Sequence, residues 1–296
     1  DEKEIGDWHV HIRGEIRNKG AVVPRGFLQV ASKRKTVAQP TIAAGRSGRL
    51  ELAEWVASSD NPLTSRVMVN RIWHHLIGKG LVRTTDNFGM MGEKPSHAAL
   101  LDWLAHQFVV DQWSVKKMIR RIVMSRTYRL ASTGESVGWT TDPENRLIWR
   151  ANRKRLTAEA IRDSILSVSG QLSMQQGGPT IRKFSQYDWG YEFNTIRRSV
   201  YVPLFRNTLL EVLEAFDVAN PNVVSGRRSE TTLPTQALYL MNSPFVNAEA
   251  ERAGERIIRS GVTDAERVRL VYRLALGREP SAVEADVVMK FIEESK

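Results

Sequence analysis

The chain has 296 residues, 42% hydrophobic and 26% charged, a globular composition with enough apolar material for one large core or two ordinary ones. It contains no cysteine, which excludes disulfides, thiolate catalysis, zinc fingers, iron–sulfur clusters and covalently attached c-type haem from these residues. No apolar run approaches the roughly 20 residues a membrane span needs, and the formal charge is +10.

The chain opens at Asp1 without an initiator Met and reads as a fragment or processed product, with any signal segment upstream. Residues 1–32 read as an N-terminal arm or hairpin: Trp8-His9-Val10-His11 alternates as a strand does, and Gly14 and Asn18-Lys19-Gly20 supply turns. His9 and His11 share a strand face, but no third ligand stands nearby and no metal site is expected. Residues 33–49, rich in Lys, Arg, Gly, Ser and Thr, read as a linker. Residues 50–296 then form the helical domain, with a sub-boundary near 175–196.

Leu50 to Ala57 is a short helix leading into the stretch around which the rest is arranged, Asp60 to Arg83. Asp60 or Asn61 caps it, Pro62 suits its first position and Gly78 or Gly80 ends it. Its apolar residues cover most of the circumference, so neighbours are expected on several sides. Arg66, Asn70, Arg71, His74 and His75 are set into it and would be costly to bury without partners. The glycine-bearing loop Thr84 to Pro95 lacks phosphate-loop spacing.

Ser96 is expected to cap a helix through Val110, and Ser114 caps an amphipathic one with Lys116, Lys117, Arg120 and Arg121 on its outer face. A further helical segment is expected from Asp142 into Arg153-Lys154-Arg155, and Thr157 caps a helix to Val168 with Ile161, Ile165 and Val168 on its inner stripe. Between Trp113 and Arg162 twelve Lys or Arg stand against four acids. That excess fits an anionic partner, or equally a solvated face whose arginines pair with acids elsewhere in the fold. Phe184, Tyr187, Trp189, Tyr191 and Phe193 follow without helical spacing, as a stacking platform or as pins for an insertion. Arg197 to Leu204 reads as a buried strand or arm, Thr208 to Phe216 as a helix, and Gly226 to Thr232 as a polar loop before a helix from Pro234 to Asn242. Pro244 opens another helix, and Thr263/Glu266 and Ser281/Glu284 are capping boxes for two more. The expected fold is mainly α: a multi-helix orthogonal bundle around a central buried helix, with one or two short strands or extended arms.

Several ordered stretches carry a family resemblance: Asn61-Pro62-Leu63-Thr64, Arg66 to Trp73, Gly78-Lys79-Gly80-Leu81-Val82, Asp86-Asn87-Phe88-Gly89, Asn145-Arg146-Leu147, Arg197 to Tyr201 and Tyr272 to Arg278. With these the chain resembles the C-terminal domain of unknown function of planctomycete-type cytochrome c multidomain proteins. The resemblance implies an exported bacterial protein of the cell envelope or periplasm, with a haem-binding cytochrome c-like module upstream. It implies no cofactor in this segment and carries over no catalytic residues.

Three readings follow. The first is an accessory domain docking its upstream cytochrome c-like domains, a redox partner or an anionic polysaccharide through Lys116, Lys117, Arg120, Arg121, Arg153, Lys154 and Arg155. The second is an enzyme acting on an anionic or carbohydrate substrate, with Arg66, Asn70, Arg71, His74 and His75 joined by Arg227, Arg228 and Glu230. The bland form of that cluster is a buried hydrogen-bond network. The third, phosphate contacts to nucleic acid, ranks last because export removes the protein from most nucleic acid.

Overall fold

A computed structural model describes residues 5–28, 40–43, 45–134, 136–180, 191, 193–260 and 263–295. They are mainly α-helical, as expected, with one two-stranded sheet among the described residues. The chain divides into two compact units, residues 1–154 and 155–296. The first holds 25 Lys or Arg against 15 Asp or Glu and the second 18 against 18, so the whole excess of +10 belongs to the first.

The first unit begins with an antiparallel hairpin, β1 (Trp8–His11) and β2 (Lys19–Val23), whose register slips between His9 and His11. Both imidazoles bond within it: His9 Nδ1 lies 2.8 Å from the Gly20 carbonyl, and His11 Nε2 accepts from Trp8 Nε1 at 3.0 Å. Helix α1 (Arg49–Ala57) is followed by α2 (Pro62–Ile77). The start of α2 is fixed by the Asn61 side chain, which accepts from Leu63 N at 3.0 Å and Thr64 N at 3.4 Å, and its end by Gly78 at φ 95°.

Helices α3 (Ala98–Val110) and α4 (Val115–Val123) close the core of this unit. Val69, Ile72, Trp73, Ile77, Leu81 and Val82 pack there with Leu101, Leu104, Phe108, Met118 and Ile122. Each fully buried side chain of this kind stabilises the unit by about 2 kcal/mol relative to exposure. Helix α2 buries a stripe at helical spacing, not its whole circumference, and Leu63, Val67 and Met68 stay 36–40% exposed. The loop between α2 and α3 carries Met90 and Met91 in solvent, whereas Met118 is completely buried.

Two local expectations fail for identifiable reasons. Ser96 does not cap α3; its N–H (2.8 Å) and hydroxyl (3.3 Å) both donate to the Leu81 carbonyl, and the helix begins after His97. Beyond the single turn α5 (Gly138–Thr141), the segment from Asp142 is not helical. The Asp142 carboxylate accepts from the N–H groups of Arg146 and Leu147, both at 2.8 Å, and so competes with a helical ladder. Asn145 and Ile148 both adopt φ 57° there, at a cost of roughly 1–2 kcal/mol for a β-branched residue.

The second unit contains α6 (Ala158–Ser169), α7 (Glu211–Ala215), α8 (Pro234–Asn242), α9 (Pro244–Ile258), α10 (Asp264–Leu276) and α11 (Ala282–Glu294). Ala158, Val212, Leu213 and Phe216 form its core, with Ile161, Leu210 and Tyr239 against them. The most deeply buried face of α6 is Ala158, Arg162, Leu166 and Ser169; Ile161, Ile165 and Val168 lie beside it, half-buried. Both tail capping boxes form, at Thr263/Glu266 and Ser281/Glu284. Arg197 to Leu204 is not a strand: Arg197 makes an isolated bridge with Ser173, and Ser199–Tyr201 is a 3-10 turn. Phe184, Tyr187 and Trp189 lie outside the described residues. Tyr191 stacks on Phe205 with ring centroids 4.0 Å apart and Phe193 lies 6.3 Å from the same ring, which is the pinning arrangement.

Candidate functional site

The polar residues of α2 are engaged with their own chain to different degrees. Asn70 is fully buried; its Nδ2 donates to the Val82 carbonyl and its Oδ1 accepts from Val82 N, both at 2.9 Å. A Cβ on Gly80 would sit 2.4 Å from the Val82 carbonyl oxygen and 3.0 Å from the Asn70 amide, so the turn after α2 closes onto Asn70 only with glycine there. Arg66 donates through Nε to Asp102 at 2.7 Å and through Nη1 to the Pro62 carbonyl at 2.9 Å. Arg71 and His75 are exposed and His74 is half-buried, the two imidazole centroids lying 5.4 Å apart.

The last carbonyls of α2 are capped from a distance. Lys154 Nζ donates to Leu76 O at 2.7 Å and His75 O at 3.3 Å, and Asn152 Nδ2 to Ile77 O at 3.2 Å. A cation there also complements the negative end of the helix. Lys154 thus serves a helix terminus of its own unit.

Arg227, Arg228 and Glu230 belong to the second unit and are exposed. Arg228 grips both carboxylate oxygens of Glu159, at 2.8 and 2.6 Å. Burial is the largest influence on the Glu159 carboxyl and acts to raise it, but the Arg228 hydrogen bond and charge, with hydrogen bonds from its own backbone and from Thr157, together hold the group below the ordinary carboxylate range. The loop is anchored at Thr231, whose N–H and hydroxyl both bond the Asp217 carboxylate. Arg155 donates to Thr231 O, to Thr232 Oγ1 at 3.2 Å and to Gln236 Oε1 at 2.7 Å. The α2 candidates and the Arg227–Glu230 candidates are therefore built into different units.

Of the remaining basic candidates, Arg121 pairs with Asp111 at 2.7 Å and lies over the Trp103 ring. Lys116, Lys117, Arg120 and Arg153 are exposed, and α4 carries no acidic residue along its length.

Arg162 was not singled out by sequence. It is 2% exposed, donating through Nη1 to Arg197 O at 2.9 Å and Ser199 Oγ at 3.1 Å, and through Nη2 to Thr195 O. The Asp163 carboxylate takes the N–H and hydroxyl of Ser199, both at 2.7 Å. Burial lowers the guanidinium's proton affinity, and the charges of Asp163 and Glu249 oppose that effect. Its spacing of four from both Ala158 and Leu166 was the available signal, masked by counting it within the basic run.

A cavity of about 20 Å³ opens in the first unit beside Trp73, Ile77 and Gly80, with room for about one water. None of Arg66, Asn70, Arg71, His74 and His75 lines it. Among the described residues no three His, Asp or Glu side chains are grouped to hold a metal, and no helix is long and apolar enough to cross a membrane.

Residues 48–292, spanning most of both units, match a family model described as "PSD1: Protein of unknown function (DUF1553)". No curated protein and no solved structure matches the chain.

Proposed function

Since the chain belongs to the PSD1 family of proteins of unknown function, it inherits no activity, and we propose that it is a helical accessory domain that docks an anionic partner through the outer face of α4. The observation that supports this is the row Lys116, Lys117 and Arg120, exposed on a helix without an acid. By contrast, two of the α2 residues that an enzyme would use, Arg66 and Asn70, bond Asp102, Pro62 and Val82. In this proposal the domain belongs to an exported, cell-envelope protein associated with a cytochrome c-like module, and the partner is that module, another acidic redox protein or an anionic polysaccharide. The setting comes from the sequence resemblance alone.

The test is retention of the full chain on an immobilised anionic polysaccharide as salt rises, beside the triple variant Lys116→Glu, Lys117→Glu, Arg120→Glu. Exposed charges act over roughly 8–10 Å at moderate salt, so native retention is expected to fall steeply with salt and the variant to elute much earlier. Equal elution of the two proteins would remove α4 as the docking face.

A further inference from the structure

The small cavity of the first unit gathers three cations. Lys79, Arg83 and Arg146 line it together with Trp73, Asn145 and Ile148. Two acids stand near them: Glu144 pairs with Arg83 at 3.0 Å and its backbone carbonyl accepts from Lys79 Nζ at 3.1 Å, while the Asp142 carboxylate, held by the Arg146 and Leu147 N–H groups, feels the Arg146 charge. The Glu144 side chain is 62% exposed, and an ion pair so open to water is weak and readily exchanged. Its carboxylate therefore occupies Arg83 as an external anion would.

The rest of the rim is held firmly. Asn145, buried and at φ 57°, donates to Arg150 O at 2.8 Å and Asn152 Oδ1 at 3.0 Å, which fixes the turn that also holds Ile148 at φ 57°. Residues kept in such sparsely populated conformations by surrounding bonds gather where a chain positions groups for a ligand. Trp73 and Ile148 supply an apolar wall beside the charges, which strengthens charge-assisted hydrogen bonds. Room for about one water admits one oxygen of a terminal group, the remainder lying at the mouth beside the exposed Lys79 and Arg146.

We infer that this cleft binds one oxyanion, a carboxylate, sulfate or phosphate borne at the end of a larger ligand, with Glu144 giving up Arg83 to it. The site is separate from the α4 face and stands or falls independently of it.

Calorimetric titration of the full chain with sodium sulfate, inorganic phosphate and acetate, at ionic strength held constant with sodium chloride, tests the inference. Saturable binding of at least one anion is expected, and the order among the three identifies the group preferred. Arg146→Ala is expected to weaken binding about tenfold, the loss of roughly one charge-assisted contact. Glu144→Gln is expected to tighten it severalfold, a gain that misfolding could not produce. Lys116→Glu with Lys117→Glu is expected to leave it unchanged. No saturable heat with any of the three anions would overturn the site, as would a Glu144→Gln protein binding no tighter than the native chain. An equal loss in the Lys116/Lys117 variant and in Arg146→Ala would move the binding to α4 and overturn it too.

Discussion

Asn70 satisfies both backbone groups of buried Val82, as donor to Val82 O and acceptor from Val82 N. Asn70→Ala strands both groups inside the core, and a buried unpaired donor or acceptor costs about 1–3 kcal/mol. Urea denaturation is expected to show about 3 kcal/mol lost; a change under 1 kcal/mol would mean the turn finds other partners. The sequence marked Asn70 as polar at a core position but could not say whether it faced a ligand or the chain. That choice depends on Val82, brought opposite it by a turn that needs Gly80 without a Cβ. His74 and His75 were readable in kind in the same way, while their surroundings depend on elements distant in sequence.

At the scale of elements, boundaries with a chemical cause were legible. Asn61, Pro62 and Gly78 bound α2 where their side chains and dihedral preferences place them, and the boxes at Thr263 and Ser281 start α10 and α11. The stretch after Asp142 was illegible because one carboxylate captured two N–H groups that a helix would have used in its first turn. The box opening α11 also yields a pH prediction. The Arg278 side chain first, then the Ser281 N–H, pull Glu284 from 4.5 to about 2. A carboxylate lowered in the folded state lends stability in full above its unfolded value, near 4.5, and loses it as pH falls through about 2. Carboxyl-carbon NMR is expected to find Glu284 titrating near 2, and to find it moved back toward 4.5 in Arg278→Ala. An ordinary value in the native protein would mean that the pair does not form in solution.

For the molecule as a whole, apolar spacing and capping residues announced a mainly helical protein and composition its excess of positive charge, and the structure adds that the excess belongs entirely to residues 1–154. The division itself was hidden, because Arg153-Lys154-Arg155 reads as one basic run although Lys154 caps α2 and Arg155 holds Thr231 and Gln236. The candidate cluster was half legible: residue types at the right spacing, but drawn from two units. Separate cores also predict separable energetics. Removing the guanidinium in Arg162→Met leaves three acceptors, one on buried Ser199 and two on half-buried Thr195 and Arg197, without their donor and is expected to cost about 3 kcal/mol. Combined with Asn70→Ala, the two losses are expected to add to within about 0.5 kcal/mol in denaturation experiments, since the sites share no partner. A larger departure would reveal coupling between the units.

The contrast between Met90 and Met91, open to solvent, and Met118, sealed in the core, gives the protein its own chemical clock. Dilute peroxide would convert the first two to sulfoxides at once, while the thioether of Met118 would react only as often as its surroundings come apart. The mass of one peptide thus reports how frequently the first unit opens.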